Sequence, residues 1–229
     1  MIKVGESYFN EEEFVGKIGE VSWNLRFEKL FKPLYFYPEK MYKGGFPKTK
    51  VISSIPGLKA NGEVVIKDKK FEIRGGLGEQ AHHWGVKHSN NWIWFHINLN
   101  DKGYLTGIST KIGFIRATII ALKYNKIEGI RTGIFKAMTT KLKMTKNKEI
   151  RLNIRARIYP NIYINTELSS PREHFLGVTY RNPDNTKVYC FNSSIATAKV
   201  NILQNEQKYK ILELENKAAF EIGTTKFRI

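Results

Sequence analysis

The chain has 229 residues, of which 41% are hydrophobic and 13% aromatic, enough for one large β domain or two packed smaller ones with a real core. A single cysteine, Cys190, excludes a disulfide framework and a cysteine-based zinc site, and no apolar run approaches the ~18–20 residues that span a bilayer as a helix. The formal charge is +17, and residues 102–157 alone hold fourteen Lys/Arg against Glu128 and Glu149. Such an excess fits either a Lys-rich, solubilising surface or a polyanionic partner. The N-terminal stretch MIKVGESYFNEEEF has no apolar h-region, so a soluble cytoplasmic protein is expected.

Period-2 alternation dominates, and no long amphipathic helix is predicted. Strands are expected over residues 19–27, 63–66, 71–74, 92–98, 149–158, 161–167, 187–190 and 196–203. Pro56-Gly57 and Asn61-Gly62 read as punctuation, and Asp68-Lys69 reads as the turn of a hairpin. Further turns are expected at Lys146-Asn147-Lys148, Asn205-Glu206-Gln207 and Glu215-Asn216-Lys217. Many strands joined by short turns predict antiparallel all-β structure, closed or nearly closed to hide its edges. The Gly-rich region 102–111 is the soft boundary between a first half (1–110) and a basic second half (111–229).

Four of the five histidines and three of the four tryptophans fall between His82 and His96. Alternation puts Gln80, His82 and Trp84 on one face of a strand, and Trp92, Trp94, His96 and Asn98 on one face of the next. A hairpin centred near His88 would oppose Trp84 to Trp92, His82 to Trp94 and Gln80 to His96. That surface suits a pocket wall gripping an apolar ligand, with a histidine as general acid or base. Its tryptophan faces could stabilise a developing carbocation. It also suits a hydrogen-bonded aromatic plug at a barrel end. His82 and His83 point to opposite faces, and His82 with His96 lacks a third ligand at local spacing, so no metal site is expected.

In the second half, Arg151, Asn153, Arg155 and Arg157 share one strand face, with Lys141 and Lys143 beside them if the turn is centred on Asn147. This basic patch is either a solvated face or a docking site for nucleic acid or an anionic membrane surface.

The stretch GLGEQAHHWGVKHSNNWIWFHINL resembles the signature of the tocopherol cyclase-like and carotenoid hydratase-like proteins, a lipocalin-like superfamily. The matching residues are Gln80, His82, His83, Trp84, Gly85, Trp92, Trp94 and Asn98; His83 stands where Asn is common. VSWNLRFEK, KPLYFYP, SSPREHFLGVTYRNPD, YCFNSSIATAKV and AAFEIG look similar as well. The resemblance implies two packed lipocalin-like β-barrel halves around a cavity for an apolar molecule. It implies a first barrel shortened relative to the relatives, whose exposed edges a second copy could cover in a homodimer. It also implies cofactor-free protonation of an isoprenoid double bond, giving hydration or cyclisation. His82 is the expected proton donor and His96 its alternative. Trp84, Trp92 and Trp94 line the site, and Gln80 and Asn98 orient a polar group or water. Glu79 is a further candidate acid, but alternation puts it on the opposite face from His82. A non-catalytic carrier of a hydrophobic ligand uses the same residues.

Overall fold

A computed structural model describes residues 1–112, 114–133, 138–145, 148–158, 161–205 and 207–226 of the protein. The fold is all-β, with two curled antiparallel sheets, as the alternation predicts, and it is lipocalin-like, as the resemblance implies. The chain divides into two compact units, Met1–Glu39 with Val51–His83, and Lys40–Lys50 with Trp84–Ile229.

The first sheet contains β1 (Ile2–Val4), β2 (Ser7–Phe9), β3 (Glu13–Ile18), β4 (Val21–Lys29), β5 (Leu34–Tyr35), β6 (Thr49–Ile66) and β7 (Lys69–Gly85). Its order is β1-β2-β3-β4-β6-β5, with β7 also on β6. A short helix, α1 (Glu39–Lys43), lies between β5 and β6. The small core of the first unit holds Phe36, Val51, Ile55 and Leu58. Phe9, Phe14, Phe27 and Trp23 pack edge-on or tilted beside one another on the meander.

Strand β6 runs unbroken through both Pro56-Gly57 and Asn61-Gly62, which the sequence reading took as breaks. Gly62 explains part of this. It has φ +143°, and a Cβ there would sit 2.0 Å from the Asn24 carbonyl oxygen. The glycine lets β4 and β6 approach rather than ending a strand. The β6–β7 turn falls at Lys67-Asp68, one residue before the expected position, with Lys67 at positive φ.

The second sheet contains β8 (Asn91–Asn98), β9 (Gly103–Ile112), β10 (Ile115–Tyr124), β11 (Ile127–Gly133), β12 (Met138–Met144), β13 (Glu149–Ile158), β14 (Ile162–Pro171), β15 (Leu176–Arg181), β16 (Lys187–Gln204) and β17 (Gln207–Thr224). The order is β11-β10-β9-β8-β17-β16-β14-β13-β12, with β15 also on β16. Phe95, Ile97, Leu105, Ile120, Leu122, Leu152, Ile154, Ile202 and Phe220 build one continuous core inside it. On β13 the odd residues are exposed or half-buried and the even ones buried, which is period 2 sorting one strand onto two faces.

The expected turn at residues 146–148 fits the observed register, Lys141 opposite Asn153 and Lys143 opposite Arg151, although 146 and 147 themselves lie outside the described residues. One other expected turn is corrected, and two expected strands merge. Residues 187–190 and 196–203 belong to one strand, β16, and Glu215-Asn216-Lys217 lies inside β17. Asn216 takes φ +53°, and the register against β16 shifts between Ala196/Ala218 and Ala198/Leu214. The extra residues form a bulge, so β17 bends and continues instead of reversing.

Strands β8 and β9 pair within the second sheet, and the first unit ends at His83. Among the described residues no helix is long and apolar enough to cross a membrane.

The inner-face reading is testable by truncation. Phe95 is 0% exposed and Phe71 is 48% exposed. Phe95→Ala is expected to cost about 3–5 kcal/mol in urea unfolding, and Phe71→Ala about 0.5 kcal/mol or less. Equal costs would overturn the assignment of Phe95 to the core.

Candidate functional site

Strand β8 sits between β9 and β17. Phe95 and Ile97 point into the core; Trp92, Trp94, His96 and Asn98 occupy the other face. The register carries that second face across the sheet. Trp94 lies opposite Glu221, Glu221 opposite Asn192, and Asn192 opposite Leu176. One row along, Trp92 lies opposite Gly223, Gly223 opposite Cys190, and Cys190 opposite Val178.

Gly223 is required by packing. The Trp92 ring covers it, and a Cβ there would meet Trp92 Cδ2 and Cε3 at 2.0 Å. So placed, the Trp92 indole Nε1–H donates to Glu221 Oε2 at 3.4 Å. Asn192 Nδ2 donates to the other carboxylate oxygen at 3.1 Å, and Ser194 Oγ in turn donates to Asn192 Oδ1 at 2.9 Å. The Cys190 thiol, 2% exposed, completes the set. Burial pushes its pKa up to about 12, with the charge of Glu221 and a hydrogen bond to it adding to the shift. Burial likewise raises the Tyr180 phenol, with smaller contributions from Cys190 and Glu221. His88 stacks on Tyr180 at 4.5 Å between ring centres.

His96 is buried between two rings, Trp94 at 6.4 Å and Tyr104 at 6.2 Å, both nearly parallel to it. Its Nε2 lies 3.4 Å from Asn98 Oδ1. On the same sheet face, Leu176 is 73% and Val178 44% exposed. Carboxylate, thiol, imidazole, indoles and an uncovered apolar lip therefore share one face of one sheet.

The expected hairpin between the two His/Trp strands does not form. Strand β7 pairs with β6, while both neighbours of β8 are in the second sheet. The connection is tied elsewhere. The His88 amide donates to Asn182 Oδ1 at 2.9 Å, and Lys87 Nζ pairs with Asp184 at 2.7 Å. Thr49 Oγ1 donates to the Lys87 carbonyl at 2.8 Å. These bonds hold residues 87–88 against the β15–β16 turn and the start of β6, where a tight hairpin cannot close. Asp184 is held down to about 2 by hydrogen bonds from Lys87 and Thr186.

The expected site residues lie on strands of two different sheets. Trp92, Trp94, His96 and Asn98 share a face. Gln80 is buried in the first unit, accepting from Ser54 Oγ at 3.0 Å and donating to the Asn10 carbonyl at 3.1 Å. His82 is exposed on β7. Trp84 stacks on Tyr42 of α1 at 6.0 Å. Glu79 Oε1 accepts from Ser53 Oγ at 2.5 Å. Arg151, Arg155 and Arg157 line the outer face of β13, with Lys141 and Lys143 at the facing positions of β12. Among the described residues, no three His, Cys, Asp or Glu side chains are grouped to hold a metal ion.

Sequence reasoning missed Glu221, Cys190, Asn192 and Tyr180. A signal was present in AAFEIG, where one acid alternates with Phe220 and Ile222. Those two mark the core face, so Glu221 must point the other way.

The thiol gives a pH test. A folded-state pKa of about 12, above the reference value of 9.0, means that the unfolded chain releases this proton first as pH rises. The contribution is complete below about 9 and is lost as pH rises towards about 12. Urea midpoints are expected to fall over that window in the wild type, and less steeply in Cys190→Ala. Parallel slopes would show that the thiol is not held protonated by the fold.

No family model matches the chain. Uncharacterized proteins from two strains of Mycobacterium tuberculosis are 20% identical to it over 193 residues, covering 83% of this chain and 58% of theirs. The chain thus spans under two thirds of the length of these relatives. Kievitone hydratase from Nectria haematococca matches with a TM-score of 0.56 at 11% identity, covering 97% of this chain and 69% of its own. CghA, solved with Sch210972, matches with a TM-score of 0.58 at 10% identity, covering 92% of this chain and 63% of its own. At these identities the likeness is one of fold.

Proposed function

We propose that the second sheet binds a hydrophobic small molecule on its Trp92–Trp94–Glu221 face and catalyses cofactor-free acid hydration or cyclisation of it. The observation that carries this reading is Glu221. It is a carboxylate held by the Trp92 indole and the Asn192 amide, on the same sheet face as the exposed apolar residues Leu176 and Val178. Apolar walls with a few oriented polar groups are the usual composition of a small-molecule site. The hydratase among the structures of similar fold supports the same reading.

In this scheme a proton adds to one alkene carbon, and the positive charge at the other is stabilised by the indole faces of Trp92 and Trp94. Water, or a hydroxyl of the substrate itself, then adds and gives up a proton, so that atoms and charge balance. His96, buried between Trp94 and Tyr104, is the proposed proton donor. Glu221 accompanies the developing cation and takes the proton from the adding oxygen. His82, on β7 of the first sheet, is the alternative donor. An isoprenoid is the proposed substrate class, from the sequence resemblance. A carrier would use the same apolar face with no chemistry.

Two measurements test this reading. Mass spectrometry of organic extracts should find an apolar species with wild-type protein and much less with Trp94→Ala. That species, incubated with protein in ¹⁸O-labelled water, should gain label if it is hydrated, or change structure without label if it is cyclised. Glu221→Gln and His96→Gln should keep the ligand and lose at least ~100-fold in turnover. A wild type that holds the ligand unchanged is a carrier, and a wild type with no ligand-dependent signal would sink both readings. Gly223→Ala should displace the Trp92 ring and weaken ligand retention even though it adds a single methyl group.

A further inference from the structure

The charge excess of the chain has a definite address. On the outer face of the second sheet, the register sets Arg155 beside Asn165, Asn165 beside Asn201, and Asn201 beside Ile211. The next row runs from Arg157 through Tyr163 to Leu203. Neither row contains an acid. Acids appear one row away, where Glu167 and Glu149 hold Arg151 at 3.2 and 2.7 Å, and Glu213 holds Lys199 at 2.8 Å. Lys141 is exposed in that row, opposite Asn153. The inner side of these strands is the apolar core, so the basic side is the outer, convex side of a curled sheet.

We infer that this face docks on an anionic lipid bilayer surface. Three observations favour lipid over nucleic acid. A convex sheet face lacks the groove in which single-stranded nucleic acid is tracked. The ring of Tyr163 already carries the Arg157 guanidinium 5.2 Å from its centroid, so that face is taken where a base would stack. The basic rows end in Leu203, half-buried, and Ile211, 36% exposed. Basic side chains that run into an apolar margin suit a headgroup region, where the charges meet phosphates and the margin meets acyl chains. The inference stands whether the Trp92–Glu221 face is catalytic, carries a ligand or does neither.

The test is co-sedimentation with phosphatidylcholine vesicles, with and without phosphatidylserine. The full chain should bind the phosphatidylserine vesicles and release as salt rises. Each basic residue at such a surface is worth about fivefold in partition. Arg155→Glu with Arg157→Glu should therefore lose at least ~10-fold. Lys3→Glu with Lys17→Glu changes net charge equally from exposed positions in the first unit and should lose much less. Ile211→Ser should cause a smaller loss that salt does not remove. Unchanged thermal unfolding would show that each variant is folded. Equal loss from both double variants would mean that net charge, not this face, drives binding. Absence of binding to phosphatidylserine vesicles, or tighter salt-sensitive binding to an oligothymidine that ignores Ile211→Ser, would overturn the inference.

Discussion

Strand β8 buries on both sides. Between β9 and β17 it gives Phe95 and Ile97 to the core and keeps Trp92 and His96 almost fully covered on the opposite face. An ordinary half-exposed antiparallel strand sorts apolar residues inward and polar ones to water. Here the second face is covered too, so its polar atoms must find partners within the protein. The arrangement around Glu221 follows from that requirement. Trp92 and Asn192 each donate to one carboxylate oxygen, and the Cys190 thiol stays protonated beside it. Removing either side-chain donor would leave a half-buried carboxylate short of a partner, which costs more than the hydrogen bond itself returns.

The same covering accounts for what the sequence could and could not reveal. All-β structure and the face assignments within β8 and β13 were legible, because period 2 is a local property of the chain. So was the Lys141–Asn153 register, because a short turn fixes it. The partner of β8 was not legible. Pairing β7 with β8 was the economical guess from two adjacent His/Trp runs. The bonds from His88 to Asn182 and from Lys87 to Asp184 span more than ninety positions, and no local pattern announces them. Asn216 shows the converse failure. Glu-Asn-Lys is good turn chemistry, and Asn216 does take positive φ, but the strands on either side stay paired and the turn becomes a bulge. Local chemistry specifies a backbone angle. Whether that angle reverses a strand or bends it depends on the sheet around it.

The candidate site divides along the same line. Its β8 members were found by alternation, whereas Glu221, Cys190 and Tyr180 come from strands more than eighty residues further along the chain. Glycine made the join possible. Only a residue without a side chain lets the Trp92 ring lie flat on β17, and that position brings the indole N–H to the carboxylate. Gly223 is a seat for an aromatic ring within a continuing strand.

Charge placement completes the physical picture. A chain of net charge +17 is poor surroundings for a carbocation if its cations lie near the reacting atoms. In the second sheet the basic strand β13 is four steps from β8, through β14, β16 and β17. At about 4.8 Å per step this is roughly 19 Å along the sheet. That is more than two Debye lengths of about 8 Å at physiological salt, so through solvent the arginines of β13 are largely screened from Trp94. The Glu221 carboxylate beside the Trp92 indole then contributes the sign that favours a cation. One antiparallel sheet thus carries its basic residues and the proposed site on the same face, the one turned away from the apolar core, and distance along the sheet keeps the arginines of β13 from the indoles of β8.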